Sequence, residues 1–218
     1  PELFTYFYLV VVLFILHAFK YKGRVRLLYV LPVVQLLWVN SHALFVVGLI
    51  VIGSFLFHEV LLRVTSWKWL DRKYALRPAD FQLFVIVFLV TIGVSFINPY
   101  GIKGVLFPLE LFERIAGGSE IFQEIDEFTP LLDFLLHSSQ VWFSLGIGFL
   151  FGLVLFSFMI QYRTVNMYRL ILFAAFSFLA FKAVRNVTLW SLVAGTITVG
   201  NLTSFFDSGR GHSIFAAL

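Results

Sequence analysis

Four polar clusters interrupt an otherwise apolar chain, and each holds residue types that could do chemistry. Asn40, Ser41 and His42 stand together in WVNSHALFVVG. An imidazole titrates near neutral pH, so His42 could carry a proton or hydrogen-bond a phosphate. Asn40 or Ser41 could equally serve as the N-cap of the helix that follows. Asn98 opens NPYG, residues 98–101, where Asn-Pro and the following Gly also spell a turn that stops a helix. Glu124, Asp126 and Glu127 lie in IFQEIDEFTP, interleaved by Phe122, Ile125 and Phe128. A carboxylate held near apolar walls suits acid–base work, and Glu127, just ahead of Pro130, is the candidate. Lys182 and Arg185 in FKAVRNVTLW sit three apart at a helix end, which puts them on one face. They either snorkel to an interface or clamp a lipid phosphate or pyrophosphate, a geometry that suits Arg.

The elements that position these clusters follow from composition. Sixty per cent of the 218 residues are hydrophobic and 28 are Phe, with a mean hydropathy of +0.93. A soluble domain is only about 45–50 % apolar. The expectation is an integral membrane protein with the bilayer as its solvent. With no cysteine, the chain has no disulfide, thiolate nucleophile or thiolate metal ligand. It opens on PELFTYFYLVVV without an initiating Met or a basic leader region. That does not resemble a signal peptide and predicts a piece of something longer.

Seven apolar segments are predicted, at about 3–19, 27–39, 42–62, 81–97, 141–160, 170–184 and 186–205. The second and sixth are short for a span of roughly 20 residues. Each leads into a polar cluster, which suggests partial penetration or a pocket rim. The fold class expected is therefore all-α: a polytopic transmembrane bundle over residues 1–205, with a cytoplasmic tail over 206–218. Twelve Lys and Arg, from Lys20 through Arg77 plus Arg163, Arg169 and Arg210, fall on one side of this arrangement. Four, Lys103, Arg114, Lys182 and Arg185, fall on the other. That bias predicts the N-terminus outside and the C-terminus inside.

The long loop 98–140 is then extracytoplasmic and carries most of the acidic residues. Within it LFPLELFERIAGG has Leu106, Leu109, Phe112 and Glu113 at helical spacing, which predicts a short amphipathic helix on the outer interface, ended by Gly117 and Gly118. Trp67 and Trp69 flank Lys68 at the opposite boundary, as interfacial anchors with no further role. The basic loops on that side meet anionic lipid headgroups, not nucleic acid.

Other motifs carry less. His58-Glu59 stands alone and makes no HExxH. Gly148 and Gly152 have GxxxG spacing, which in an apolar helix predicts close helix packing. The sequons at Asn186 and Asn201 hug or enter the membrane and are discounted. No internal repeat is evident.

Taken in order, PELFTY, LLWVNSHALFVVG, INPYG, IDEFTP and VRNVTLW resemble the later transmembrane half of bacterial GT-C type glycosyltransferases, the protein mannosyltransferase and aminoarabinose transferase group. The resemblance runs from about residue 1 to 205. It implies the bacterial inner membrane and a polyprenyl-phosphate-linked sugar as donor, transferred at the extracytoplasmic face. It also implies that Asn40, His42, Asn98 and Glu127 border the sugar and acceptor pocket. Arg185, with Lys182, would hold the donor phosphate. Members of this type carry their catalytic carboxylate in a first outer loop that this chain lacks, so the catalytic base is unassigned. A departing phosphate needs positive charge or a divalent metal, for which there is no motif.

Two alternatives stand beside this. The chain could be a non-catalytic structural subunit of a larger membrane assembly. A transporter or flippase ranks third, because its charged groups would sit near the midplane and here they cluster at the ends.

Overall fold

The computed structural model describes residues 2–116, 126–137, 140–162 and 164–207. Among these residues every regular element is helical, apart from one isolated bridge. The chain divides into two compact units, Pro1–Ser66 with Arg72–Ser119 and Trp67–Asp71 with Glu120–Leu218.

Unit 1 is built from α1 (Glu2–Lys22), α2 (Val30–Val39), α3 (Val46–Val64), α4 (Pro78–Val94) and α5 (Ile102–Ala116). A 3-10 turn, Val25–Tyr29, leads into α2, and another, Ala43–Phe45, leads into α3. On α1, Leu9, Val12, Leu16 and Phe19 recur at helical spacing and are buried. They meet Leu31 and Trp38 of α2, Val51 and Phe55 of α3 and Phe84 of α4, all buried. Phe19 stacks on Phe84 with centroids 5.8 Å apart, and Phe55 lies 4.9 Å from Phe84. α4 starts on Pro78, whose fixed φ and missing N–H suit a first helical position. It ends at Val94, three residues before the expected end of its segment. There Ser95 Oγ donates back to Thr91 O (3.1 Å), and Asn98 Nδ2 donates to Ser95 O (3.0 Å).

Unit 2 contains α6 (Leu131–His137), α7 (Val141–Ile160), α8 (Met167–Lys182) and α9 (Val187–Asp207), the last preceded by a 3-10 turn, Val184–Asn186. α9 packs on both α7 and α8. The core between them holds Val154, Leu172, Phe176, Leu189, Val193 and Ile197. Trp67–Asp71 joins this unit through a parallel bridge between Leu70 and Val165. Trp67 and Trp69 stack 5.1 Å apart.

Each of the seven predicted apolar segments is helical. Four helices are long and apolar enough to cross a membrane: Glu2–Lys22, Ala43–Val64, Val141–Ile160 and Val184–Asp207. Val25–Val39 and Pro78–Val94 are shorter, and α8 has 16 residues. The predicted amphipathic helix is α5; the glycines expected to end it lie outside the described residues. α9 runs to Asp207, two residues into the expected tail, and residues 208–218 also lie outside the described set.

The GxxxG expectation fails. Among the described residues, a Cβ on Gly148 or Gly152 would meet nothing within 4 Å, so no described helix packs closely there. Gly148 instead lines an apolar cavity.

Candidate functional site

The polar triplet sits where α2 gives way to α3. α2 must find donors for its last carbonyls, and α3 must find acceptors for its first N–H groups. Asn40 and Ser41 do the first job. Asn40 Nδ2 donates to Leu36 O (2.8 Å), and Ser41 Oγ donates to Leu37 O (2.6 Å). The N-cap is therefore neither Asn40 nor Ser41 but His42, whose backbone is extended (φ −157°, ψ 141°). Its Nδ1 accepts from Leu44 N–H (3.3 Å). Asn40 is the C-cap of α2 and Ser41 follows it, and there a side chain reaches back along the helix and not forward.

His42 also ties the turn to α1. Its Nδ1 lies 2.9 Å from Thr5 Oγ1, and Thr5 Oγ1 accepts from Trp38 Nε1 (3.3 Å). Thr5 and Trp38 are fully buried. Below them Gln35 Nε2 donates to Ser95 Oγ (3.0 Å) and Phe45 O (3.4 Å), while its buried Oε1 has no hydrogen-bond partner.

Asn40 and Asn98 come together. Asn40 Nδ2 donates to Ile97 O (2.9 Å), and both asparagines line a shallow groove with Leu36, Leu37, Ser41 and Pro99. The Asn98 amide also builds its own turn: Nδ2 donates to Ser95 O and Gly101 O (both 3.0 Å), and Oδ1 accepts Tyr100 N–H (2.9 Å). Gly101 closes that turn at φ +54°, a conformation that favours glycine.

Glu127, Lys182 and Arg185 belong to unit 2. Glu127 lies in the 3-10 turn Asp126–Phe128 and is exposed, so its carboxylate is not held between apolar walls. Of the acidic stretch, Glu124 lies outside the described residues. Lys182 and Arg185 do not share a helix face. Lys182 ends α8, Ala183 is extended (φ −159°, ψ 135°), and Arg185 lies in the next 3-10 turn. The extended residue breaks the 3.6-residue register that would have aligned them. Lys182 Nζ sits 5.6 Å from the Phe178 ring centroid, and the Arg185 guanidinium sits 4.7 Å from that of Phe128.

This junction adjoins a cavity of about 230 Å³ lined mainly by apolar side chains, including Leu131, Ile147, Phe151, Phe181 and Trp190. Two bonds of geometry connect them. Phe181 lines the cavity and precedes Lys182. Leu131 lines it two residues after Thr129, whose carbonyl accepts the Val184 N–H (3.0 Å) beside Arg185. Gly148, Ser144, Ser177 and Ala180 keep the walls low.

Two polar assemblies escaped the sequence. At the far end of α3, Glu59 is fully buried and accepts from Lys20 Nζ (2.8 Å), Arg63 Nη1 (3.0 Å) and Leu76 N–H (3.1 Å). The Arg63 guanidinium lies 3.8 Å from the Phe81 ring centroid. In unit 2, buried Arg169 donates to Asn201 Oδ1 and Ser204 Oγ (both 3.0 Å), and Asn201 Nδ2 donates to Ser157 Oγ (2.9 Å). Gly200 makes room, since a Cβ there would come within 2.8 Å of Arg169 Nε. A polar residue inside an apolar helix was the available signal. On the surface, a hydrogen bond from Arg77 to Asp80 raises the Arg77 guanidinium above its ordinary value.

No group of three or more His, Asp or Glu side chains able to hold a metal ion occurs among the described residues. No protein family, curated protein or solved structure matches the chain.

Proposed function

We propose that the chain is a polytopic membrane protein that binds a polyprenyl-phosphate-linked sugar and takes part in its transfer at the extracytoplasmic face. On this reading the seven apolar segments all enter the bacterial inner membrane, with the N-terminus outside, and loop 98–140 faces the periplasmic side. The observation that carries it is in unit 2: an apolar cavity is lined by Phe181, the residue before Lys182, and the turn that follows carries Arg185. A lipid chain needs a groove without polar walls, and a phosphate needs fixed positive charge. Arg185 is suited to the phosphate and Gly148 to the chain.

The test is binding of a photoreactive polyprenyl phosphate to the full chain in lipid nanodiscs. Arg185→Ala should lower crosslinking at least about tenfold, the loss expected for a charge-assisted contact. Gly148→Leu should lower it by filling the cavity while leaving the cations in place. Crosslinking equal to the unmodified protein in both variants, at normal expression, overturns the proposal.

A second reading, a non-catalytic subunit of a larger membrane assembly, is favoured by α7, of whose most apolar stretch only 11 % is buried. Trp142, Phe149 and Met159 project from it, exposed. Purification with other subunits at fixed stoichiometry, without lipid-phosphate binding, would select that reading.

A further inference from the structure

We propose that the cavity of unit 2 holds an acyl ester of a membrane lipid, with the ester carbonyl accepting a hydrogen bond from Ser177 Oγ. Ser177 and Trp190 both line the cavity, and Trp190 Nε1 donates to Ser177 Oγ (3.0 Å). An indole N–H can only donate, so the hydroxyl oxygen accepts and still has its own proton to give. A serine inside a helix often gives that proton to the carbonyl four residues back. Ser54, Ser144 and Ser191 do so, to Ile50 O, Gln140 O and Val187 O. Ser177 does not, and among the described residues no acceptor takes its proton. Its residue is only 9 % exposed. A buried donor left unmatched is costly, so the occupant of the cavity has to bring an acceptor.

The surroundings select the acceptor. A cavity of about 230 Å³ is smaller than the roughly 300–1,000 Å³ of a site that encloses a whole small ligand, so it takes one segment of a longer molecule. Two lining residues reach the surface: Gly148 is exposed on α7, and Phe181 is 43 % exposed. α7 is long and apolar enough to cross a membrane, and only 11 % of its most apolar stretch is buried. In a bilayer the neighbours of such a surface are acyl chains, whose ester carbonyls are neutral acceptors. A phosphate would instead lose its hydration against Leu131, Ile147 and Phe151. Depth agrees with an ester. Ser177 lies five residues before the end of α8, a rise of about 7.5 Å. The polar layer of a bilayer is about 5–7 Å thick on each side. With Lys182 at the outer boundary, the Ser177 hydroxyl comes level with the top of the hydrocarbon, where ester groups sit and a polyprenyl chain has no oxygen. The inference rests on the proposed function only for placing α7 and α8 in the membrane. The proposed donor chain would compete with the ester for this cavity.

The experiment is native mass spectrometry of the full chain in detergent, titrated with dioleoyl phosphatidylcholine and with its diether analogue. The analogue has the same headgroup and chain length but no carbonyl. The unmodified protein should bind the ester about fivefold or more tightly, the worth of one hydrogen bond. Trp190→Phe keeps the Ser177 hydroxyl and should keep the preference. Ser177→Ala is added on that background, because the freed indole N–H would otherwise take over the carbonyl. In this double variant the preference should vanish. Equal binding of the two lipids by the unmodified protein overturns the proposal, as does a preference that survives the double variant or is lost already in Trp190→Phe. Should a Trp190 variant fail to fold, Gly148→Leu decides, since it fills the cavity and leaves the donor. A preference lost there supports the ester site, and one retained overturns it. Crosslinking of polyprenyl phosphate is scored separately. An ester preference without that crosslinking leaves this inference standing and removes the proposed donor; the reverse result removes this inference alone.

Discussion

The two units contain the same junction and finish it differently. In each, a shorter helix stops, one residue goes extended, a three-residue 3-10 turn follows, and a long helix begins. His42 (φ −157°, ψ 141°) and Ala183 (φ −159°, ψ 135°) hold the matching backbone position. At the first junction a side chain from within caps the turn, and the neighbours Asn40 and Ser41 close the previous helix. At the second, Asn186 Nδ2 likewise donates back to Leu179 O (2.9 Å) in the previous helix, but no side chain caps the turn. The Val184 N–H borrows the Thr129 carbonyl from a loop some fifty residues earlier in the chain. The same turn can thus be capped by its own residue or by a distant segment. The first solution ties its polar atoms into the packing. The second carries Lys182 and Arg185 next in the chain to a residue, Phe181, that lines a cavity. Damage to unit 1 should therefore appear as lost stability, and damage at the unit 2 junction as lost binding.

The largest effect is expected at the other end of α3, where unit 1 buries the Glu59 carboxylate completely. Glu59→Ala would leave Lys20 and Arg63 without their carboxylate, a loss of about 3–5 kcal/mol for a broken buried pair. Lys20, with its side chain 4 % exposed, has little water to fall back on. Chemical unfolding in detergent measures this. Lys20→Met combined with Glu59→Leu should recover part of the loss, because it removes the more deeply buried of the two orphaned cations, while Arg63, 28 % exposed, still reaches water. A double variant no better than Glu59→Ala would show that shape, not charge, holds this end together.

A smaller effect belongs to the capped junction itself. His42→Ala should cost about 1 kcal/mol for the lost cap. Thr5→Val should cost a similar amount, about 1–2 kcal/mol, by leaving the buried Trp38 indole without an acceptor. Because His42, Thr5 and Trp38 form one network, the double variant should cost less than the sum. Strict additivity would mean that the three side chains act separately, and the contrast with the second junction would weaken.

How much of this was legible depends on the range of the interaction. The helices were, because apolar runs of this length have few other options in a chain so rich in Phe. The junctions were legible as polar clusters after short segments. Their wiring was not. Asn40 and Ser41 look like N-caps by residue type, yet the same side chains donate backward to Leu36 and Leu37. Nothing local distinguishes the two uses. Lys182 and Arg185 look aligned only if the helix continues, and Ala183, an excellent helix former, gives no warning that it will be extended. Gly148 and Gly152 fit a packing motif, but a motif states only that a helix could approach, not that one does. Glu59 was passed over because its partners Lys20 and Leu76 are separated from it by 39 and 17 residues.

The smallest expected change in stability is the one that tests the comparison most directly. Arg185 stacks on Phe128 at a site where no side chain caps the turn, and the backbone link from Val184 to Thr129 does not depend on the guanidinium. Arg185→Ala should cost about 0.5–1 kcal/mol for the cation–π contact it loses. That is no more than His42→Ala, although Arg185 carries the charge. Arg185→Lys separates the two roles: it keeps a cation for a phosphate but loses the planar stacking on Phe128. If Arg185 serves a phosphate, Lys should retain part of the lipid-phosphate binding that Ala loses, at equal stability. If instead Arg185→Ala unfolds the chain as readily as Glu59→Ala, the second junction is held by its cation. The division between a turn capped by a side chain and one capped by a distant carbonyl then fails.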